Sequence, residues 1–79
     1  MMQTSLNFLK KGEWGRVVRL DCDKEISRRL LELGVTPNTL LYCIRWAPMG
    51  GAVEVRLRGF SLALGYNEAA SVLIEKEGG

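Results

Sequence analysis

The most regular stretch of the chain is Ala52–Arg58, where Val53, Val55 and Leu57 alternate with Glu54, Arg56 and Arg58. That period of two predicts a strand with one face turned inward. Gly59 allows a tight reversal, and Phe60–Leu64 follows with Leu62 and Leu64 inward, so Ala52–Leu64 reads as a hairpin around Arg58-Gly59. Upstream, Ile26, Leu30 and Leu33 recur at helical spacing. Asp23 stands where an N-cap belongs, and Glu25 adds favourable charge to the first turn. Gly34 supplies a left-handed C-terminal stop and Pro37 forbids resumption, which predicts a helix of about ten residues.

The remaining pattern is β-like. Glu13–Leu20 is a strand with β-branched valines, and Gly15 marks a bend or a close backbone approach. Thr39–Trp46 is another, with Leu41 and Cys43 on one face and Leu40, Tyr42, Ile44 and Trp46 on the other. Val72–Glu75 is the last strand, after a short helical turn capped by Asn67. Ser5 opens a single helical turn that points Leu6 and Leu9 inward. Residues 1–5 and 76–79 read as frayed ends around one domain spanning 6–75. Short strands with glycine-rich turns indicate a mainly β protein. The expectation is a five-stranded SH3-like barrel with one α-helix after the first strand and short helical turns.

Composition narrows the chemistry. The 79 residues carry a net charge of +2 with acids and bases interleaved, which demands neither nucleic acid nor a membrane surface. There is no histidine, so imidazole bases and ligands are absent and Ser27 lacks a triad partner. Cys22 and Cys43 form no CxxC pair. Without a visible signal peptide or a long apolar run, the chain reads as cytoplasmic, with reduced thiols and no membrane insertion. Asp21, Asp23 and Glu25 could crowd around a hard cation, but they lack EF-hand spacing, and capping accounts for Asp23. Gly50-Gly51 opens no helix and so makes no phosphate loop. No acid–base pair is positioned for catalysis, and no enzyme is expected.

Two surfaces draw attention. Arg56 and Arg58 share a strand face and supply the alternative reading, a basic-faced barrel that binds nucleic acid. The other surface is apolar: Trp46, Pro48 and Met49 crowd a turn whose backbone geometry does not need them. They either fold over one open end of the barrel or form an interface patch. With Gly50 and the exposed helix residues Arg28 and Arg29, they form the expected partner-binding set.

The ordered set Leu6, Gly12, Val17, Arg29-Leu30, Leu33-Gly34-Val35, Pro37, Ala47-Pro48, Gly50, Val53–Arg58 with Gly59, Leu62-Ala63-Leu64 and Glu68-Ala69 resembles the FeoA family, and it runs nearly the length of the chain. Asn38 stands where that family usually has glycine, and asparagine tolerates the left-handed backbone. The resemblance implies an SH3-like fold and a small bacterial cytosolic protein without catalytic activity. It implies regulation of ferrous iron transport through contact with a membrane transporter of the FeoB type. No cofactor is required under it, and a transition metal is weakly bound at most, with no defined ligand set. No nucleic acid is expected as a partner.

Overall fold

The structure is a computed structural model that describes residues 2–77. Six strands form one antiparallel sheet: β1 (Gln3–Ser5), β2 (Trp14–Leu20), β3 (Leu40–Trp46), β4 (Ala52–Leu57), β5 (Phe60–Gly65) and β6 (Val72–Glu77). Their order across the sheet is β1-β6-β2-β3-β4-β5. Helix α1 (Lys24–Glu32) joins β2 to β3, and α2 (Tyr66–Ala70) joins β5 to β6. Single 3₁₀ turns lie at Leu6–Phe8 and Pro48–Gly50. The sheet edges β1 and β5 are not paired with each other. Instead α2 packs against the Leu6–Phe8 turn, so one end of the curled sheet is closed by helix rather than by ladder bonds.

One core fills the concave side. Leu6, Leu30, Leu41, Val53, Val55, Leu57, Leu64, Val72 and Ile74 are fully buried there. Each such side chain contributes about 1.5–3 kcal/mol of burial free energy, the main favourable term in a domain this small. At Gly15 an added Cβ would lie 2.6 Å from Ile74 Cδ1, so the close approach read from the sequence is present between β2 and β6.

α1 forms as its caps dictate. The Asp23 carboxylate accepts the Ile26 N–H at 3.0 Å. At the other end Gly34 adopts φ +96°. Gly34 N donates to Leu31 O at 3.0 Å and Val35 N to Leu30 O at 2.9 Å. This is a Schellman stop, whose usual apolar contact here joins Val35 to Leu30, both buried. The stop corrects one expectation. Leu33 does not complete the core face but is 36% exposed, and Val35 takes the core position beyond the turn.

The β4–β5 hairpin is as expected, with φ positive at both Arg58 and Gly59 and Leu57 opposite Phe60. The left-handed turn at Asn38 is also present, at φ +76°.

Three further expectations are corrected. Gln3–Ser5 is not frayed: it pairs with Leu73–Glu75 and adds a sixth strand to the expected five. Lys76 and Glu77 likewise pair with Gly15 and Trp14, while Met1, Gly78 and Gly79 lie outside the described residues. Asn67 does not cap α2. Gly65 does, and Glu68 Oε1 accepts its N–H at 3.0 Å, because the helix starts two residues earlier than the asparagine suggested.

The last correction concerns Trp46. The β3–β4 register shifts between Cys43 and Arg45, so Trp46 stands opposite Val53, as Cys43 stands opposite Val55. Facing residues share a side of the sheet, and both valines are buried. The bulge therefore turns Trp46 inward, away from the Leu40 and Tyr42 face.

Candidate docking surface

Trp46 is half-buried against the core, and its Nε1–H donates to Leu9 O at 2.8 Å. Its ring lies 6.2 Å from that of Tyr66, centroid to centroid. It belongs with the core side of the sheet rather than with the exposed surface.

The turn itself is unpacked. Pro48, Met49 and Gly50 are all exposed, and none of the turn is buried. Met49 shows 101% relative exposure and carries φ +74°. A left-handed non-glycine residue costs about 1–2 kcal/mol. The turn holds its shape through two backbone bonds, Ala47 N to Ala52 O at 2.8 Å and Gly50 N to Ala47 O at 3.0 Å. A Cβ placed at Gly50 or Gly51 would meet nothing within 4 Å, so packing does not require these glycines.

Two grooves flank this turn. One, of about 320 Å³, is lined by Ala47, Pro48, Ala52, Val53 and Ala63, and the Arg45–Glu54 ion pair (3.0 Å) closes its rim. The other, of about 690 Å³, runs from Arg29 and Leu33 of α1 to Gly51, Leu64, Gly65 and Tyr66. Ala63 borders both. Arg29 and Glu68 form an ion pair across the second groove. The structure thus brings Arg29 near the turn but separates Arg28, which lines a third groove with Lys24 and Leu31 on another side of α1. Adjacent helix residues diverge by about 100°, so the sequence pair becomes two faces.

The remaining chemical candidates find structural occupations. Asp21 accepts from Arg19 at 2.9 Å, and Asp23 is spent on its cap. Cys43 is buried, and burial followed by the nearby Glu13 charge pushes its thiol pKa up, which keeps it protonated and unreactive. Glu13 has a lowered pKa, first because its carboxylate accepts the Lys10 N–H and further because Lys76 lies 3.3 Å away. Among the described residues no group of three or more His, Cys, Asp or Glu side chains is placed to hold a metal ion. The sequence has no histidine, so any metal would be held by carboxylate, thiolate or main-chain donors. Among the same residues no helix is long and apolar enough to cross a membrane.

Sequence reasoning missed one surface. Trp14 and Tyr42 are cross-strand partners with ring centroids 4.8 Å apart, and Arg56 follows Tyr42 in register. Trp14 is 42% exposed. The signal for this outer row was the alternation of β2 and β3 taken together, which fixes which side chains meet only once the register is known.

A six-stranded antiparallel sheet with one principal helix after β2, small and mainly β, has an SH3-like architecture. A FeoA-domain family model matches residues 4–76, and the chain belongs to the FeoA family, a domain associated with ferrous iron transport. It is similar to the FeoA protein of Chlorobium tepidum, solved in solution, at 30% identity and TM-score 0.90 over 96% of this chain and 72% of that one. The FeoA-like protein of Clostridium acetobutylicum is 29% identical, with TM-score 0.88 over 96% and 88% of the two chains. Stenotrophomonas maltophilia FeoA, crystallised with zinc, is 25% identical, with TM-score 0.79 over 91% and 89%. That protein is described as a procaryotic SH3-domain protein and a candidate activating factor for ferrous iron transport. No curated protein matches the chain.

Proposed function

We propose that this protein is a non-enzymatic accessory of ferrous iron transport that acts in the cytoplasm by docking on the cytosolic part of a FeoB-type membrane transporter. The observation that carries this reading is Met49. It is a large apolar side chain, fully exposed, held at positive φ by a turn that buries nothing. Folding alone gives no reason for such a residue, whereas methionine suits an adaptable protein contact. The surface comprises Pro48, Met49 and Gly50, the flanking groove, and Arg29, while Trp46 stays on the core side at the end of β3. Arg28 lies on the neighbouring flank and would engage only a partner that wraps α1. The family assignment supplies the transport system, and the zinc-bound relative supports at most a loosely held metal here.

The test is an NMR titration of the protein with the transporter's cytosolic domains. Amide shifts centred on Met49–Ala52 and Ala63 are expected, and Met49→Ala should weaken binding about tenfold, the effect of losing one interface anchor. Shifts that spare this turn at saturation would reject the surface.

A second reading rests on the Trp14–Tyr42 pair beside Arg56. Bases stack on exposed aromatics next to arginine. Single-stranded oligonucleotide binding at low salt that weakens steeply with added salt would favour it, and absence of binding at low salt would remove it.

A further inference from the structure

The two edges of the sheet are not equally protected. β1 is three residues long, a short edge of the kind that discourages pairing. β5 is six residues, Phe-Ser-Leu-Ala-Leu-Gly, with no charge and no proline. The hydrogen-bonding parity of β5 follows from its register. Tyr66 N donates to Gly51 O at 3.2 Å, so residues of the same parity, Leu64, Leu62 and Phe60, exchange ladder bonds with β4. Ser61, Ala63 and Gly65 therefore direct N–H and C=O away from β4. The Gly65 N–H is satisfied by Glu68 Oε1. Those of Ser61 and Ala63 meet no backbone or side-chain partner among the described residues, and both residues are exposed. The groove of about 690 Å³ lies alongside, with Arg29 and Leu33 of α1 as its far wall.

We propose that the β5 edge accepts an extended, acidic segment of a partner protein as an added strand, through the Ser61 and Ala63 main chain. This deepens the docking reading by naming the form of the partner's segment, and it rests on that reading only for the partner's identity. The main chain defines an extended polypeptide as the ligand. Charge defines its character. Arg56 faces Ser61 across the ladder, and neither Arg56 nor Arg58 pairs with an acid among the described residues. Arg58 donates only to the neutral hydroxyls of Thr36 and Thr39. Strands lie about 4.8 Å apart, so a residue of the added strand opposite Ser61 stands about 10 Å from Arg56 in the backbone. Two long side chains can meet over the small serine at that separation. Glu54, next along, is already neutralised by Arg45. A second copy is the poorer occupant, because self-pairing of β5 adds no acid and draws two Arg56–Arg58 pairs toward one seam.

The test uses the full chain, isotope-labelled, with short synthetic peptides that alternate valine with glutamate or valine with lysine. The glutamate peptide should shift the Ser61 and Ala63 amides and slow their hydrogen exchange. The lysine peptide should bind more weakly. Ala63→Pro removes an N–H that β4 does not use, so it should abolish binding while leaving the thermal midpoint near that of the parent. Arg56→Glu, on an exposed side chain, should reverse the peptide preference, and it serves even where the proline variant fails to fold. Unchanged exchange at Ser61 and Ala63 with saturating glutamate peptide overturns the proposal. Protection that grows with protein concentration alone also overturns it, in favour of a second copy. Transporter domains that bind only at Pro48–Gly50 overturn the edge and leave the docking reading standing. Peptide protection at β5 without any binding of transporter domains keeps the edge and rejects that partner.

Discussion

The 3₁₀ turns at Leu6–Phe8 and Pro48–Gly50 have the same length, yet the first delivers Leu6 to full burial and the second buries nothing. The first is packed by α2 and is followed by Leu9, which is also buried. The second follows Trp46, which packs against the core, and presents Met49 to solvent. Equal length therefore carries no information about role, and the backbones differ as well, since Met49 at φ +74° breaks the helical path of the second turn alone. The role lies in what the neighbouring elements place around the turn, and only the second turn keeps an apolar surplus.

Core truncation is the strongest way to break this contrast. Leu6→Ala removes a fully buried side chain at the seam between α2 and the sheet, and it should cost about 2–5 kcal/mol in urea denaturation. That is a large part of the total stability of a domain this size. Met49→Ala should change stability by less than about 0.5 kcal/mol, as expected of an exposed site. Comparable losses from both substitutions would mean that the second turn is packed after all.

Trp46→Phe comes next. It deletes the bond from Nε1 to Leu9 O and should cost about 1–3 kcal/mol, since it leaves a carbonyl beside the core poorly satisfied. The same bond links the two turns, because Leu9 N donates to Leu6 O at 2.9 Å. The substitution should therefore speed amide exchange in Leu6–Leu9 as well as in Ala47–Ala52. Exchange altered at one turn alone would separate them.

These two sites also show where sequence reasoning succeeds and stops. α1 was legible because its signals are local: the Asp23 cap, the helical spacing of Ile26 and Leu30, and the glycine stop. The β4–β5 hairpin was legible because alternation and the Arg58-Gly59 turn agree. Trp46 was misplaced because a single extra residue in β3 inverts parity beyond the bulge, and nothing in the local pattern marks it. β1 was missed because a three-residue strand owes its existence to β6, about seventy residues away in sequence. Of the candidate surface, the exposed Pro48 and Met49 were readable as residues that a turn does not need. The nearness of Arg29, the remoteness of Arg28 and the open β5 edge depend on tertiary placement.

Met49→Gly sharpens the contrast at smaller scale. Relief of a left-handed methionine, about 1–2 kcal/mol, is offset by about 0.5–1 kcal/mol of added backbone entropy in the unfolded chain. The net expectation is a gain of about 0.5 kcal/mol in denaturation, together with loss of transporter-domain binding. A variant that folds better and binds worse separates function from folding at this position. Loss of both properties would show that the methionine supports the turn.

The smallest expected effect concerns the loop that follows the first turn. Glu13 Oε1 accepts the Lys10 N–H at 2.7 Å and lies 3.3 Å from Lys76 Nζ, which ties the end of the Leu6–Lys10 segment to β6. Its pKa in the folded protein is lowered, chiefly by the Lys10 backbone bond. As pH falls, the unfolded chain therefore takes up a proton at Glu13 before the folded one does. The stabilisation is present above the ordinary carboxylate range near about pH 4.3 and is lost as pH drops through the lowered value. Thermal midpoints measured from neutral pH downward should fall less steeply for Glu13→Gln than for the parent across that range. The difference should be modest and should shrink with added salt, because the group is solvent-accessible. Among the described residues no carboxylate accepts an N–H of the Pro48–Gly50 turn, so Met49→Ala should leave the acid limb parallel to that of the parent. An acid limb changed by Met49→Ala and untouched by Glu13→Gln would reverse the assignment of which turn is anchored.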